Sequence, residues 1–177
     1  PSAPALPGKP SIAVLPFTNM SDDPEQEYFA DGIVEDIITA LSRIRWLFVI
    51  ARQSSFSYKG RAVDARQIGR ELGVRYIVEG SVRKAGNRVR IIAQLIDAET
   101  DAHIWTDRYE RGLDDIFALQ DEITERIVSA IEPTVQAVEI KRALAKPTDT
   151  LSAYDSYLRA LPYYYSQTRE GLGQAEA

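Results

Sequence analysis

The spacing of hydrophobic residues changes along the chain and predicts which segments are strands and which are helices. IAVLPF at residues 12–17 is apolar throughout and is followed by a polar loop, as expected for a buried central strand. From Tyr28 the apolar positions recur every four residues, which predicts an amphipathic helix with a wide apolar face. LFVIAR at residues 47–52 is predicted to form a second strand, and the loop QSSFSYKG at 53–60 follows it.

A short helix and three further strands are predicted in the middle of the chain. DARQIGRELG has helical spacing, with Asp64 as N-cap and Gly73 as C-cap. Three segments then alternate with a period of two, separated by AGN and AETDA, which predicts an antiparallel meander. They are RYIVEGSVRK, NRVRIIAQLIDA and HIWTDRYE. In the second, one face carries Val89, Ile91, Ala93 and Leu95, and the other carries Arg88, Arg90, Ile92 and Gln94.

The order of elements predicts the fold class. LDDIFALQDEITERIVSAIE at 113–132 has one apolar stripe and predicts a helix, which Pro133 either kinks or follows with a fresh turn. The order is therefore β-α-β-α-β-β-β-α with a helical tail. Two strand–helix units favour parallel pairing, and the meander adds antiparallel strands. We expect an α/β fold, with a mixed sheet of about five strands, packed helices and a C-terminal helical tail.

Two proline-containing segments are predicted to be linkers that separate domains. Residues 1–10, PSAPALPGKP, contain four prolines, and KPTDT at 146–150 precedes the tail. We expect an α/β domain at 11–145 and the start of a helical repeat, truncated, at 150–177. The helix at 151–163 is expected to pack on its own domain or on another copy, or to be disordered. The chain is expected to be part of a longer protein.

Composition excludes several classes of partner and chemistry. The net charge of −5 argues against nucleic acid as the main partner and against an anionic membrane surface. No apolar run approaches the ~18 residues of a membrane span. The absence of cysteine excludes disulfides, thiolate metal sites and cysteine nucleophiles.

An acidic segment near the start has two interpretations, a metal or acid/base site and the acidic start of a helix. A two-metal site requires carboxylates that converge on rigid elements. Most of these acids instead fall in a loop and a first helical turn, where the helix dipole favours negative charge. Ser21 or Asp23 is expected as N-cap with Pro24 at the first helical position, so we favour the helix start. The acids are Asp22, Asp23, Glu25, Glu27, Asp31, Glu35 and Asp36.

Other candidate catalytic groups lack the neighbours that catalysis requires. His103 is the only histidine and is expected to be a packed or edge residue of a strand. Ser54, Ser55 and Ser57 have no glycine elbow and no second histidine. GLGQAEA resembles part of a dinucleotide loop but follows no predicted strand. We therefore predict no catalytic, cofactor-binding or metal-binding residue and no cofactor.

Two surface features have both a binding and a structural interpretation. The residues of a basic turn would project into solvent at a hairpin tip, where they bind a phosphate or an acidic partner, or form a solubilising edge. They are Arg83, Lys84, Arg88 and Arg90. The tyrosines of the tail are expected to be a packing surface for further helices, with a ligand cage as the alternative. They are Tyr154, Tyr157, Tyr163, Tyr164 and Tyr165.

Long sequence strings resemble a known bacterial module. They include IAVLPFTNMSDDPEQEYFADGIVEDIITALSRI, LFVIARQSSFSYKG, ARQIGRELGVRYIVEGSVRKAGNRVRIIAQLIDAETDAHIW and LDDIFALQDEIT. Over about residues 11–140 the chain resembles the TolB-amino-terminal-like module of multidomain adenylate cyclases and tetratricopeptide-repeat signalling proteins of soil alphaproteobacteria. LSAYDSYLRALPYYYSQTREGLGQAEA is similar to the first repeat that follows this module.

The resemblance implies a cyclase domain upstream of the module, or in some relatives a winged-helix DNA-binding domain. None of the metal-binding or transition-state residues of a cyclase maps onto this chain. We therefore expect a non-catalytic regulatory or interaction module of a cytoplasmic signalling protein, not an enzyme in itself. Its expected partners are other domains of the same chain, proteins bound through downstream repeats, or a second copy. The alternatives are a small-ligand sensor, with contacts at strand ends and residues 53–60, and the same module in a transcriptional regulator.

Overall fold

The computed structural model describes residues 9–146 and 153–175, with the backbone alone at 153 and 166–175. The predicted linkers at 1–10 and 146–150 lie almost entirely outside the described residues. The chain divides into two compact units, Pro1–Glu132 and Pro133–Ala177. In the part that the structure describes, no helix combines the length and apolar character needed to cross a membrane.

The first unit contains a six-stranded mixed sheet in the order β3-β1-β4-β5-β6, with β2 beside β4. Strand β1 pairs in parallel with β3 and with β4, and β2 also pairs in parallel with β4. Strands β4, β5 and β6 form the antiparallel meander that the alternation predicts. The strands are β1 Ser11–Val14, β2 Thr18–Asn19, β3 Phe48–Val49, β4 Tyr76–Ala85, β5 Arg88–Asp97 and β6 Ala102–Gly112. The predicted α/β class with a mixed sheet is confirmed.

The described residues form five helices, and two details differ from the prediction. They are α1 Glu25–Leu41, α2 Arg52–Phe56, α3 Ala65–Leu72, α4 Ile116–Ala145 and α5 Ala153–Ala175. The second predicted strand is shorter than 47–52 because α2 begins at Arg52, inside the segment expected to be strand and loop. Helix α4 continues through Pro133, so a fresh turn there is wrong.

Local capping follows the sequence closely. The carboxylate of Asp64 accepts a hydrogen bond from the backbone N–H of Gln67 at 2.9 Å, and Gly73 ends α3 with φ of 68°. At the start of α1, Asp23 Oδ1 accepts from the N–H of Glu25 at 3.0 Å, as a capping residue does. Ser21, the alternative cap, instead accepts the backbone N–H of Lys84 at 2.6 Å.

Different segments of the chain pack on the two faces of the meander. On the inner face, Lys84 bonds Asp23 ahead of α1 and Arg111 bonds Glu122 of α4, which places both helices on this side. Side chains of that face are fully or almost fully buried, among them Val78, Val82, Val89, Ile91, Ala93 and Leu95. Part of the outer face is covered by α3 and the segment before it, in a cluster that includes Tyr58, Ile68, Ile77 and Ile96.

The second unit is built from two helical segments. Leu158 and Leu161 of α5 are buried in a cluster with Ala143, and Ile140 packs against it. Lys146 Nζ lies 2.9 Å from the carboxylate of Asp155. The tail helix therefore packs on α4 within this unit, which agrees with one of the three expected outcomes for it. Leu151 lies outside the described residues.

Candidate functional site

A cleft of about 680 Å³ lies in the first unit, at the carboxyl end of β1. One wall is the segment 15–20 that follows β1, and the opposite wall is the loop 58–63 before α3. The outer face of the β4–β5 hairpin completes it with Glu79, Ser81, Ile92 and Gln94. Crevices outside the carboxyl ends of parallel strands are the usual ligand sites of open α/β sheets. The structure therefore brings together two of the regions suggested for ligand contact, the first strand's end and the loop at 53–60.

The inner part of the cleft is apolar, and a glycine determines its shape. Phe17 is 1% exposed and lines the cleft. A Cβ added to Gly80 would lie 2.3 Å from the carbonyl oxygen of Ile92 and 2.9 Å from the ring of Phe17. Only a residue without a side chain allows strand β5 and the Phe17 ring to approach β4 so closely. Gly80 is therefore required for the close packing of Phe17 and β5 against β4 beside the cleft.

The polar wall is formed by an amide that joins three strands. Gln94 Nε2 donates to the Glu79 carboxylate at 2.5 Å, and Gln94 Oε1 lies 3.0 Å from His103 Nδ1. His103 is exposed on β6, the last strand of the sheet, so it is the edge residue that the sequence predicts. Because Gln94 orients both neighbours, this wall presents fixed hydrogen-bonding groups to the cleft.

The loop wall is fixed by buried or paired side chains. Tyr58 donates its hydroxyl hydrogen to Glu71. Burial and this hydrogen bond raise the pKa of Tyr58 to about 12, while the same bond lowers the pKa of Glu71. The guanidinium of Arg61 lies 5.1 Å from the centre of the Tyr58 ring. Tyr58 therefore anchors the loop as a neutral phenol at all ordinary pH values.

Lys59 connects this loop to the acidic segment. Its ammonium lies 2.7 Å from Asp31 and 3.2 Å from Glu27. The hydrogen bond to Asp31 is the main cause that raises the pKa of Lys59. Glu35, one turn further along α1, pairs with Arg52 of α2 at 2.7 Å. Asp31 and Glu35 thus share a helix face, and that face binds α2 and the loop that follows it.

Asp23, just ahead of α1, serves the helix start. Hydrogen bonds from the backbone N–H of Glu25 and the ammonium of Lys84 lower the pKa of Asp23. Within the described residues, no group of three or more histidine or carboxylate side chains is placed to hold a metal ion. Three of the acids therefore bind cations from three different segments: Asp23 binds Lys84, Asp31 binds Lys59 and Glu35 binds Arg52.

The remaining candidates are also separated. Ser55 is fully buried, and Ser57 donates to the carbonyl of Ser54 at 2.7 Å, which caps the end of α2. Of the basic turn, Lys84 lies on the inner face and bonds Asp23 at 3.2 Å, so it does not project with the arginines. Because neighbouring residues in a strand point to opposite faces, the period-two pattern alone places Lys84 on the face opposite Arg83.

The sequence patterns alone do not reveal Gln94 and Ser81 as cleft residues or Arg108 as a neighbour of the basic turn. Arg108 is opposite Ile92 in the sheet register and lies on the same face as Arg90. Alternation within HIWTDRYE would have placed Arg108 on that face once the register was known. Register between strands depends on the turns, so alternation within β6 alone does not place Arg108 beside Arg90.

A family model described as "HilA/YgeH-like transcriptional regulator, second domain" matches residues 8–126, about two thirds of the chain. A protein of Rhizobium meliloti (strain 1021) named "Putative adenylate cyclase 3" is 59% identical over 157 residues. These residues are 89% of this chain and 27% of that protein. The chain thus spans about a quarter of the length of this curated relative.

Two solved structures have a similar fold. Lipoprotein GNA1162 from Neisseria meningitidis is 19% identical, with a TM-score of 0.51 that covers 68% of this chain and 95% of that one. TolB from Acinetobacter baumannii is 18% identical, with a TM-score of 0.50 that covers 75% of this chain and 31% of that one. At these identities the likeness concerns the fold, and it supports the expected TolB-like architecture. The helical repeat stays a prediction.

Proposed function

The chain belongs to the family of second domains of HilA/YgeH-like transcriptional regulators, and from this premise we propose that it is a non-catalytic regulatory and interaction module of a multidomain signalling protein. In the leading version that protein is an adenylate cyclase of the cytoplasm. The module links an upstream catalytic domain to downstream helical repeats that bind protein partners. The chain itself contributes no catalytic residue.

The observation that carries this proposal is the sharing of one module between two kinds of protein. The family is described as a domain of transcriptional regulators, whereas the 59% identical relative is named as an adenylate cyclase. Gene regulation and cyclic-nucleotide synthesis share no reaction chemistry. What both can share is a regulatory or interaction role, and about three quarters of the relative's length lies outside the match.

The geometry of the charged side chains supports the same view. Asp23, Asp31 and Glu35 each pair with a cation from another segment, at 3.2, 2.7 and 2.7 Å. These pairs join α1 to β4, to the loop after α2 and to α2 itself. A side chain that holds two elements together is a poor general acid or base, because movement of its proton would weaken the packing.

The catalytic question is tested by an assay of the chain with ATP and Mg²⁺ or Mn²⁺. We expect no cyclic AMP above a blank without protein. In the longer protein, deletion of residues 11–145 is expected to leave the turnover of the catalytic domain but to remove its response to a partner. Measurable turnover by the 177-residue chain alone would contradict the proposal.

A second candidate function, small-ligand sensing, is favoured by the cleft. Its volume of about 680 Å³ is within the range of small-molecule sites, and its inner part is apolar with a polar wall. Thermal-shift screening with nucleotides and metabolites tests it. A ligand of the cleft should raise the melting temperature of the wild type but not of Ser81→Trp, which fills the cleft. Thr106→Trp, on the exposed edge strand outside the cleft, is the matched control. Uniformly absent shifts would count against sensing.

The third candidate is the same module in a transcriptional regulator, which the description of the family supports. In that case the upstream domain contacts DNA and the acidic chain does not. The coding sequence upstream of Pro1 distinguishes the candidates directly. A cyclase domain there supports the leading version, and a winged-helix domain supports this one.

A further inference from the structure

The outer face of the β4–β5 hairpin carries three arginines that neither the cleft nor the helix contacts use. We call Arg83, Arg88 and Arg90 the arginine cluster. With Glu110 they line a concavity of about 390 Å³ near the hairpin tip. All three arginines are exposed. The concavity is large enough for a small anion or a phosphorylated molecule.

The strand register places like charges together. Arg83 lies directly opposite Arg90, and Ala85 lies opposite Arg88. Like charges at directly opposite positions of an antiparallel pair destabilise a sheet. The two-residue turn fixes this register, since Gly86 has φ of 60° at its first position, where a two-residue hairpin favours glycine. The fold therefore holds the two guanidinium groups together against their repulsion.

The local positive charge is only partly neutralised. Glu110 pairs with Arg90 at 2.8 Å and lies 3.8 Å from Arg108. Asp114, the other acid near the tip, accepts a hydrogen bond from Asn87 at 3.0 Å. Among the described residues, the guanidinium groups of Arg83 and Arg88 make no ion pair. A chain with a net charge of −5 thus has a local excess of positive charge on one sheet face.

We propose that the arginine cluster binds the phosphate group of a small phosphorylated molecule. Guanidinium groups are planar forks that bind phosphate oxygens in bidentate fashion. A phosphate monoester carries a charge of about −1.5 to −2 near neutral pH, which matches the two arginines that lack a counter-ion. Glu110 orients Arg90 toward the same concavity. All four residues lie on paired strands, so their backbone positions are fixed before a ligand arrives.

The position of the cluster also suggests where the rest of such a molecule lies. Ser81 and Ile92 line the cleft, and each is two residues from an arginine on the same face, Arg83 or Arg90. Two residues along a strand correspond to about 7 Å. A phosphate on the arginine cluster can therefore belong to a molecule that extends toward the apolar cleft. Phosphate binding by the cluster does not require that the cleft be occupied.

The proposal is tested by titration of the chain with inorganic phosphate and with pyrophosphate at low ionic strength, followed by amide NMR shifts and calorimetry. We expect saturable shifts centred on β4 and β5. Arg83→Gln and Arg88→Gln should each weaken binding by about ten-fold, as expected for loss of a charged hydrogen bond. Glu110→Gln, which removes the competing negative charge, should tighten it.

A matched control separates a built site from general surface charge. Arg43 is an exposed arginine near the end of α1, and Arg43→Gln removes the same charge elsewhere. Equal weakening by Arg43→Gln, or no saturable response to either probe, would overturn the proposal. A response to an oligoglutamate peptide without a response to phosphate or pyrophosphate would also overturn it, and would assign the cluster to an acidic protein segment. Circular dichroism of each variant verifies that it is folded.

Discussion

Alternate residues of the same strands meet two different environments in this protein. On the inner face of the meander, Val82, Ile91 and Leu95 are completely buried beneath α1 and α4. On the outer face, Arg83 and Arg90 are exposed, and Gln94 is half-buried beside the cleft. At these buried positions the inner face is constrained by packing, which requires apolar side chains of the right size. The outer face is free of that constraint near the hairpin tip and can present charge.

The outer face is itself divided by its cover. At one end Ile77 and Ile96 pack with Tyr58 and Ile68 in an apolar cluster. At the other end the arginine cluster is exposed, with no described segment packed over it. The boundary between the two ends is the cleft, where apolar and polar groups meet. The rest of the outer face stays uncovered by α3, because this eight-residue helix is too short to span the length of the ten-residue strands β4 and β5.

The largest expected effect comes from truncation of the inner face. Ile91→Ala removes a fully buried side chain and should lower the free energy of unfolding by about 3 kcal/mol, since a cavity remains. Ile92→Ala is the matched control, because the next residue is half-buried on the outer face. We expect it to cost less than half as much in urea unfolding. Equal losses would show that the two faces do not differ as described.

An intermediate effect is expected at the covered end of the outer face. Tyr58→Phe removes the hydrogen bond to Glu71 and should lower stability by about 1 kcal/mol at neutral pH. Because folding raises the pKa of Tyr58 from 10.0 to about 12, its contribution is complete below pH 10 and is lost as the pH rises toward 12.

The deficit of Tyr58→Phe should therefore shrink over that interval in chemical unfolding at a series of pH values. Ultraviolet difference absorbance should also show that the variant has one fewer tyrosine with a raised pKa than the wild type. A deficit that stays constant up to pH 12 would contradict the buried, neutral phenol.

The smallest expected effect has the opposite sign. Arg83→Gln relieves the repulsion with Arg90 across the strand pair and should raise stability by about 0.5 kcal/mol. The gain should diminish at high salt, because the charges are exposed. Arg43→Gln should leave stability unchanged within error. Destabilisation by Arg83→Gln would mean that this arginine has a structural role, and the electrostatic comparison between the faces would fail.

Much of the fold could be predicted because its signals are local. Period-two alternation identifies β4, β5 and β6, and the caps at Asp64 and Gly73 bound α3 within a residue. The errors occurred where local signals conflict or are weak. QSSFSYKG has loop-forming residues, yet α2 forms there because Arg52 pairs with Glu35 and stacks 4.0 Å from the Phe56 ring centre. Those contacts involve the distant helix α1 in part, and no local pattern reports them.

The candidate site shows the same limit. Period-two alternation already places Lys84 on the face opposite Arg83, but which of the two faces is covered by helices depends on the tertiary packing. The cleft requires residues 15–20, 58–63 and 79–94 to meet, and these segments are far apart in the chain. Their meeting depends on the parallel pairing of β1 with β4, which brings the end of β1 beside the β4–β5 hairpin.

The sequence by itself determined the elements, the alternation of the meander and the identity of the charged positions, because hydrophobic period and capping act over a few residues. Only the tertiary structure decided which face of the sheet is covered, and how much of the length of its strands the cover reaches. That outcome depends on the lengths of α2 and α3 and on where the chain returns to the sheet. The cleft and the exposed arginine cluster exist because packing buries the centre of the inner face, whereas on the outer face it covers only one end.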